Sequence, residues 1–179
     1  MKKIYIYLEG SSYKNIKDFL LRDGSEHAVF LFATTTSDDS KLDFQVKDYY
    51  LVPDEETDNS SYDLSLTEES QSKIIKRAWV SKCSLIEIHS HPFTKKGAGF
   101  SYYDLDGFKQ FVPHVWWRLK GSPYIALVFG NADYDALAWV DNPNESVPLT
   151  GIIVDNTILE PTNNTLVVQK GKSKLWKKI

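Results

Sequence analysis

The sequence CSLIEIHSHP, residues 83–92, joins the pattern of a β-strand to two closely spaced histidines. Residues Cys83 to Ile88 alternate in the manner of a strand. Side chains two residues apart on a strand share a face of the sheet. We therefore expect His89 and His91 to project together from the C-terminal end of this strand.

A hydroxyl and a carboxylate follow downstream, at Ser101 and Asp104. Their spacing is that of a helix N-cap and the third helical position, where a serine and an acidic residue form a capping box. Leu105, Phe108 and Val112 follow at helical spacing. The pattern predicts a helix that holds Asp104 at its start, and a strand end facing a helix start can hold a metal ion.

Two imidazoles and one carboxylate make a set of three protein ligands. Zinc bound by such a set keeps a fourth position for water and lowers the pKa of that water to about 7. Iron and manganese also use these ligand types, but zinc suits them best. A closed structural zinc site is usually rich in cysteine, and this chain has one cysteine, Cys83.

The order His89-Ser90-His91-Pro92, a loop, and Ser101-Tyr102-Tyr103-Asp104 resembles the signature of the JAMM (JAB/MPN) metalloprotease family, in its prokaryotic JAB branch. The family pattern is His-Ser/Thr-His, a short loop and Ser-x-x-Asp, with a glutamate on an earlier strand. Here nine residues, 92 to 100, separate the two parts. This loop is longer than is usual in the family, and loops accommodate added length at small cost.

The resemblance implies a role for each matching residue. His89, His91 and Asp104 would be zinc ligands. Ser101 would donate a hydrogen bond to the oxyanion of the tetrahedral intermediate. The family's glutamate takes a proton from the zinc-bound water and returns it to the leaving amine. Glu26, at the start of an apolar strand after the first helix, would have that role; its alternative is a solvated acid at a strand start.

Two other carboxylates compete for these roles. Glu87 lies two residues before His89 and should share its face of the strand. It either orients a histidine ligand or replaces Asp104 as the carboxylate ligand. Glu9 is a more distant candidate for the catalytic glutamate.

Several conspicuous residues have structural interpretations. His27 should alternate away from its neighbour Glu26, and His114 is interpreted as structural or surface-exposed. Cys83 opens a strand and is interpreted as a small core residue rather than a nucleophile. Three tryptophans are expected in the core: Trp116, Trp117 and Trp139.

Length and composition are those of one compact domain. The chain has 179 residues, of which 42% are hydrophobic and 25% charged, as in an ordinary globular protein. We expect one domain over residues 1–160 and a basic tail over 161–179. The chain lacks a long apolar run and a convincing signal peptide, and a single cysteine suits a reducing compartment. We therefore expect a cytoplasmic protein.

The order of predicted elements indicates a mixed α/β (α+β) fold. Strands are predicted over 4–8, 28–34, 44–52, 83–88, 124–129, 136–140 and 149–154. Helices are predicted after a cap at Ser11 or Ser12, after Thr67 and after Ser101, with Pro113 ending or kinking the last. The expected architecture is a curved, mostly antiparallel sheet with helices packed against it, the MPN/JAB-like, cytidine-deaminase-like sandwich that the resemblance implies.

Charge is polarised in two stretches. Residues 54–69 carry seven acids and no base, and residues 161–179 carry five lysines and no acid. Such runs are usually solvated surface; alternatively, the acidic segment meets a basic partner and the tail touches nucleic acid. The net charge of −3 argues against nucleic acid as the main partner.

The resemblance implies a zinc-dependent isopeptidase or peptidase that cleaves at the C-terminal tail of a ubiquitin-like protein. Its further partners would be conjugates of that protein and E1- or E2-like enzymes of the same pathway. Two alternatives stay open. One is a catalytically silent scaffold of the same fold, and the other is a zinc hydrolase acting on a small amide or a sulfur-carrier conjugate.

Overall fold

The computed structural model describes residues 2–58, 65–94 and 97–167 of the chain. Three complete α-helices and ten strands lie among them, together with a short 3-10 helix over Asp54–Glu56. Residues 164–167 are also helical. The elements are β1 (Lys3–Leu8), α1 (Gly10–Leu20), β2 (Ala28–Ser37), β3 (Lys41–Leu51), β4 (Thr57–Asp58), β5 (Ser65–Leu66), α2 (Glu68–Ser81), β6 (Ser84–Ser90), α3 (Tyr102–Arg118), β7 (Tyr124–Phe129), β8 (Tyr134–Trp139), β9 (Gly151–Val154) and β10 (Thr157–Leu159).

Eight strands form one curled, mixed sheet in the order β10-β9-β1-β3-β2-β6-β7-β8, and β4 pairs with β5 in a separate ribbon. The pairs β1–β3, β1–β9 and β6–β7 are parallel, and the other four pairs of the large sheet are antiparallel. The mixed α/β class predicted from the sequence is confirmed. Antiparallel pairs outnumber parallel ones only narrowly.

Helices cover both faces of the sheet. On one face, Ile16 and Leu20 of α1 pack with Leu31 and Ile86. On the other face, α2 and α3 pack against residues such as Phe30. Strands covered on both sides become apolar throughout rather than alternating, and β7 and β8 are buried at every position.

The predicted N-cap residue is found at two of the three helix starts. Thr67 caps α2 by accepting a hydrogen bond from the Ser70 N–H, as its position predicted. The expected cap at Ser11 or Ser12 is wrong, because α1 begins one residue before Ser11 and its N-cap residue makes no side-chain cap. The Gly10 N–H at that helix start instead donates to Asp155 Oδ1 (2.9 Å), a partner too distant in sequence to be foreseen.

The sequence predicted that Pro113 would end or kink the third helix. The predicted end is wrong, because α3 continues through Pro113 to Arg118. A proline inside a helix costs about 3 kcal/mol. Val112 and Val115 are fully buried on either side of it, and Leu119 is buried just beyond the helix. Packing of this apolar face against the sheet therefore outweighs the local preference.

The three tryptophans do not share one environment. Trp139 is buried and Trp116 is partly buried, as expected of core residues. The core interpretation of Trp117 is wrong, because its side chain is 72% exposed. It follows Trp116 by one helical step and so points away from the sheet, where the Arg118 guanidinium lies 5.1 Å from its ring centroid.

The end of the described chain packs against the large sheet. Thr162 donates its backbone N–H to the Tyr134 carbonyl, and Thr165 is buried. Most of the predicted basic tail, residues 168–179, lies outside the described residues. Across the described part of the chain, every helix is too short or too polar to traverse a bilayer.

Candidate metal centre

The paired histidines emerge from the middle of the sheet. Strand β6 lies between β2 and β7, and its Leu85 packs on the face covered by α2 and α3. Glu87 and His89 follow at alternate positions and line a cavity on that same face. His91 comes just after the strand, where its N–H donates to the Phe129 carbonyl (2.8 Å). The expected projection of both imidazoles from the strand end is what the structure has.

The N-terminus of α3 brings Asp104 to the histidines through a capping box. The Asp104 N–H donates to Ser101 Oγ (3.1 Å), and Asp104 Oδ2 accepts from the Ser101 N–H (2.6 Å). These two bonds hold the carboxylate in one orientation at the positive end of the helix. Asp104 is thus both a residue of the capping box and a candidate metal ligand.

His89, His91 and Asp104 offer ligand atoms that all lie within 4.8 Å of one another. Asp104 Oδ1 is 3.4 Å from His89 Nε2, and Oδ2 is 3.5 Å from His91 Nε2. Two ligands of a tetrahedral zinc ion, each about 2.0–2.1 Å from it, are roughly 3.3–3.4 Å apart. The separations found here therefore suit a metal ion held by these three residues.

The Nε2 atom of His89 is buried and, apart from its contact with Asp104 Oδ1 at 3.4 Å, makes no hydrogen bond within the described part of the chain. A buried polar atom without such a partner is costly. Burial alone would lower the pKa of His89, but the carboxylates of Asp104 and Glu87 outweigh it and raise that pKa to about 10. A cation is strongly favoured at this nitrogen, and a divalent metal there would take the place of the proton.

Asp104 stays ionised in this setting. Burial alone would raise the pKa of its carboxyl group, but His89 and the bonds from Ser101 hold that pKa well below its usual range. Its side chain is only 16% exposed. A buried, ionised carboxylate beside two imidazoles is a hard oxygen donor that completes a set suited to zinc, iron or manganese.

The second ring nitrogen of each histidine, Nδ1, contacts another group of the protein. His89 Nδ1 lies 3.5 Å from Glu87 Oε1, and His91 Nδ1 lies 3.2 Å from the Gly99 carbonyl oxygen. Contacts of this kind fix ring orientation and tautomer at metal sites. Glu87 is thus on the side of the ring opposite Asp104, which favours the orienting role for Glu87 over the ligand role.

Glu87 is itself held by Tyr124 on the neighbouring strand β7. The Tyr124 hydroxyl donates to Glu87 Oε2. Burial, and then the negative charge of Glu87, raise the pKa of Tyr124 well above its ordinary value. The phenol therefore remains protonated and keeps donating. The sequence did not predict a role for Tyr124, since only the pairing of β6 with β7 brings it to Glu87.

The register of β2 and β6 brings Glu26 to the site. Ala28 pairs with His89. The pairing then continues one step, with the His27 N–H donating to Ser90 Oγ (3.0 Å) and the Ser90 N–H to the His27 carbonyl (3.1 Å). Glu26 consequently lies opposite His91, with Oε1 3.4 Å from Nε2. The carboxylate borders the candidate metal position, and Ser90, in the middle of the motif, links the two strands by hydrogen bonds.

The loop between the two halves of the motif is anchored by the end of the described chain. The Phe100 N–H donates to Thr165 Oγ1 (2.9 Å), and Thr165 Oγ1 in turn donates to Asp135 Oδ2 (2.6 Å). Asp135 is fully buried. This chain of contacts supports Gly99, whose carbonyl faces His91. No sequence pattern pointed to Thr165 or Asp135.

The remaining candidates lie elsewhere. His27 is buried and contacts Asp23 (2.9 Å), so it does turn away from the site. Glu9 precedes α1 and is exposed, and His114 is exposed on α3. Cys83 is buried, as its core interpretation predicted.

Some acids of the stretch 54–69 form contacts within the fold. Glu56 accepts hydrogen bonds from Tyr50, Lys73 and Ser70. Asp54 pairs with Arg22. Asp54, Glu55, Glu68 and Glu69 nonetheless remain exposed to solvent; residues 59–64, which include Asp63, lie outside the described residues.

No protein-family model matches the chain, and a search of curated proteins returned no match.

Proposed function

We propose that this protein is a zinc-dependent isopeptidase or peptidase of the JAMM type. The observation that carries the proposal is the convergence of His89, His91 and Asp104 on one buried point, with Glu26 beside it. These are the residues that the motif resemblance assigned. The mixed sheet with helices on both faces supports an MPN/JAB-like fold as part of the same proposal.

Zinc suits the donor set best. His89 Nε2, His91 Nε2 and an oxygen of Asp104 would hold it, and three protein ligands leave a fourth position for reactants. When bound, zinc acts as a Lewis acid that polarises a carbonyl group and lowers the pKa of a water molecule.

Glu26 has the position required of the proton carrier. Its side chain is 19% exposed and lies against His91, so it can reach both the attacking water and the departing amine. Its carboxylate accepts a proton from the water as the new C–O bond forms. The same proton then passes to the amine nitrogen as the C–N bond breaks, which leaves Glu26 ionised again.

Ser101 has the geometry of an oxyanion donor. Its hydroxyl oxygen accepts the hydrogen bond of the Asp104 N–H, so the hydroxyl hydrogen can be donated elsewhere. The helix cap holds the side chain in place before the reaction, and a donor that needs no rearrangement stabilises developing charge most effectively.

An extended protein tail suits the surroundings of the site. The ribbon β4–β5 lies beside it, and its Ser65 and Leu66 line a cavity with His89. A tail can add a strand to such a ribbon and so place its terminal carbonyl near the metal ligands. A ubiquitin-like protein, alone or conjugated, would supply a tail of this kind.

The test combines metal analysis with cleavage. Purified wild-type protein should contain about one zinc per chain. His89→Ala, His91→Ala and Asp104→Ala should each lose it, whereas His114→Ala, at an exposed histidine, should retain it. The zinc-loaded protein should release a reporter fused to a ubiquitin-like tail or linked through a lysine Nζ. Chelation should stop the reaction and added zinc should restore it.

Failure at each stage has a distinct meaning. A wild-type protein that binds no zinc after zinc is supplied would exclude the hydrolase and leave the scaffold. Bound zinc without cleavage of either linkage would exclude the peptidase and favour hydrolysis of a small amide.

A further inference from the structure

A cavity of about 270 Å³ opens directly beside the metal ligands, on the face of the sheet covered by α2 and α3. Its walls are largely apolar and come from Phe30, Leu66, Phe108 and Phe111. A cavity of about 150 Å³ can hold a benzene molecule. This one is therefore large enough for a leucine or phenylalanine side chain.

Two polar side chains in the wall, Glu87 and Gln71, already have partners within the protein. Glu87 contacts His89 and accepts from Tyr124, and Gln71 Nε2 donates to the Leu66 carbonyl (3.1 Å). What the larger part of the wall offers a ligand is apolar contact. The charge of Glu87 also disfavours an acidic side chain in the cavity.

Glu26 is not among the residues that line the cavity. His89 and Asp104 line the cavity, whereas Glu26 contacts His91. Glu26 is the residue proposed to protonate the leaving amine, so the amine departs on the His91 side. The cavity is then on the side of the acyl group.

The geometry points to a specificity pocket for a large, uncharged apolar side chain on the acyl side of the scissile bond. This inference rests on the proposed function. It narrows the substrate class to tails that present an aliphatic or aromatic residue, rather than glycine alone, at the cleaved carbonyl.

Gly107 keeps this pocket open. It lies in α3 on the cavity wall, and a Cβ atom built there meets no heavy atom within 4 Å. A larger side chain at this position can therefore enter the cavity without displacing its neighbours. Gly107→Leu is thus a substitution that fills the pocket and leaves the metal ligands in place.

N-acetyl amino-acid hydroxamates test the inference by binding, without a cleavage reaction. The hydroxamate group ligates zinc, and the side chain occupies the acyl-side position. Titration calorimetry on the zinc-loaded protein should give the phenylalanine and leucine compounds an affinity on the order of tenfold or more above the glycine compound. The glutamate compound should bind no better than glycine.

Substitutions then locate the preference. Gly107→Leu should bring the phenylalanine-to-glycine affinity ratio down to about one, and Gly107→Ala should reduce it only partly. Lys109→Leu, on an exposed part of α3 away from the cavity, should keep the wild-type ratio. Thermal unfolding of each variant checks that the fold is intact.

The outcomes separate this inference from the proposed function. Equal binding of the glycine and phenylalanine compounds would refute the proposed specificity pocket, but it would not argue against the metal site. Tighter binding of the lysine or arginine compounds would refute the preference of the pocket for uncharged, apolar side chains. A protein that takes up no zinc, and hence binds no hydroxamate, would overturn both proposals.

Discussion

The carboxylate of Glu26 lies 3.4 Å from Nε2 of His91 because the antiparallel pairing of β2 and β6 extends beyond Ala28 and His89. Two parts of the chain that are far apart in sequence are thereby joined at one end of the sheet. The relationship is imposed by backbone register, so a substitution of the Glu26 side chain should not disturb it.

Glu26→Gln should therefore separate metal binding from catalysis. The amide keeps the size of the side chain but cannot carry the proton. We expect zinc content to stay at the wild-type level and hydrolysis to fall by about 10²- to 10⁴-fold. Elemental analysis and the reporter-cleavage assay measure the two properties on the same preparation.

Glu55→Gln is the matched control, since Glu55 is exposed on the 3-10 helix and should leave both properties unchanged. Loss of zinc from Glu26→Gln would instead assign Glu26 to the ligands. Full activity in Glu26→Gln would remove Glu26 from the mechanism.

Tyr124→Phe tests the support behind His89. The change removes only the hydroxyl that donates to Glu87 and leaves the buried ring. Without this donor, Glu87 is less firmly held against His89 Nδ1, and loss of such a contact typically costs 10- to 100-fold in metal affinity. Competition with a fluorescent zinc chelator measures the change. Tyr102→Phe, at an exposed tyrosine, should have the wild-type affinity, and an unchanged affinity in Tyr124→Phe would refute the supporting role.

The part of the site that the sequence predicts is the part encoded locally. Alternation placed His89 and His91 on one side of a strand, and the Ser-x-x-Asp spacing placed Asp104 in a capping box. Both relationships span a few residues of one element. Backbone geometry alone determines them, which is why they could be read without knowledge of the fold.

The remainder depends on which strands become neighbours. Tyr124 reaches Glu87 only because β7 pairs with β6, and Thr165 reaches the loop only because the end of the described chain packs beside β8. No local pattern encodes such pairings. Glu26 was found through the family resemblance, and Pro113 was misjudged because the packing of α3 overrides its local preference.

Thr165→Val should loosen the loop that supports His91. Valine keeps the shape of threonine but neither accepts from the Phe100 N–H nor donates to Asp135. Leaving these buried groups short of a partner should lower the free energy of unfolding by about 1–3 kcal/mol, measured by urea denaturation. Zinc affinity should fall as well, because Gly99 is no longer held against His91.

Thr157→Val provides the control for Thr165→Val, because Thr157 is exposed on β10. It should change neither quantity. A Thr165→Val protein that is less stable but binds zinc as tightly as wild type would show that this chain of contacts serves folding alone.

Gly107→Ala should stabilise the protein. Glycine inside a helix costs roughly 0.5–1 kcal/mol relative to alanine, and a Cβ at Gly107 has open space around it. We expect the midpoint of urea unfolding to rise with an unchanged denaturant dependence. A decrease in stability would mean that the cavity wall tolerates no added atom.

Glu56 should make stability depend on pH in the acidic range. Hydrogen bonds from Lys73 and then Tyr50 lower the pKa of its carboxyl group below the ordinary value, despite the opposing effect of burial. A group whose pKa is lower in the folded than in the unfolded protein stabilises the fold while it is ionised. The contribution is complete above the unfolded pKa and disappears as the pH falls through the folded value.

Glu56→Gln should consequently lower the free energy of unfolding at about pH 7, where the carboxylate is ionised in both states, and lower it much less at about pH 3. Urea denaturation at the two pH values measures the difference. Glu55→Gln, one residue away and exposed, should show no such dependence. An equal loss at both pH values would mean that Glu56 acts through the shape of its contacts with Lys73 and Tyr50 rather than through its charge.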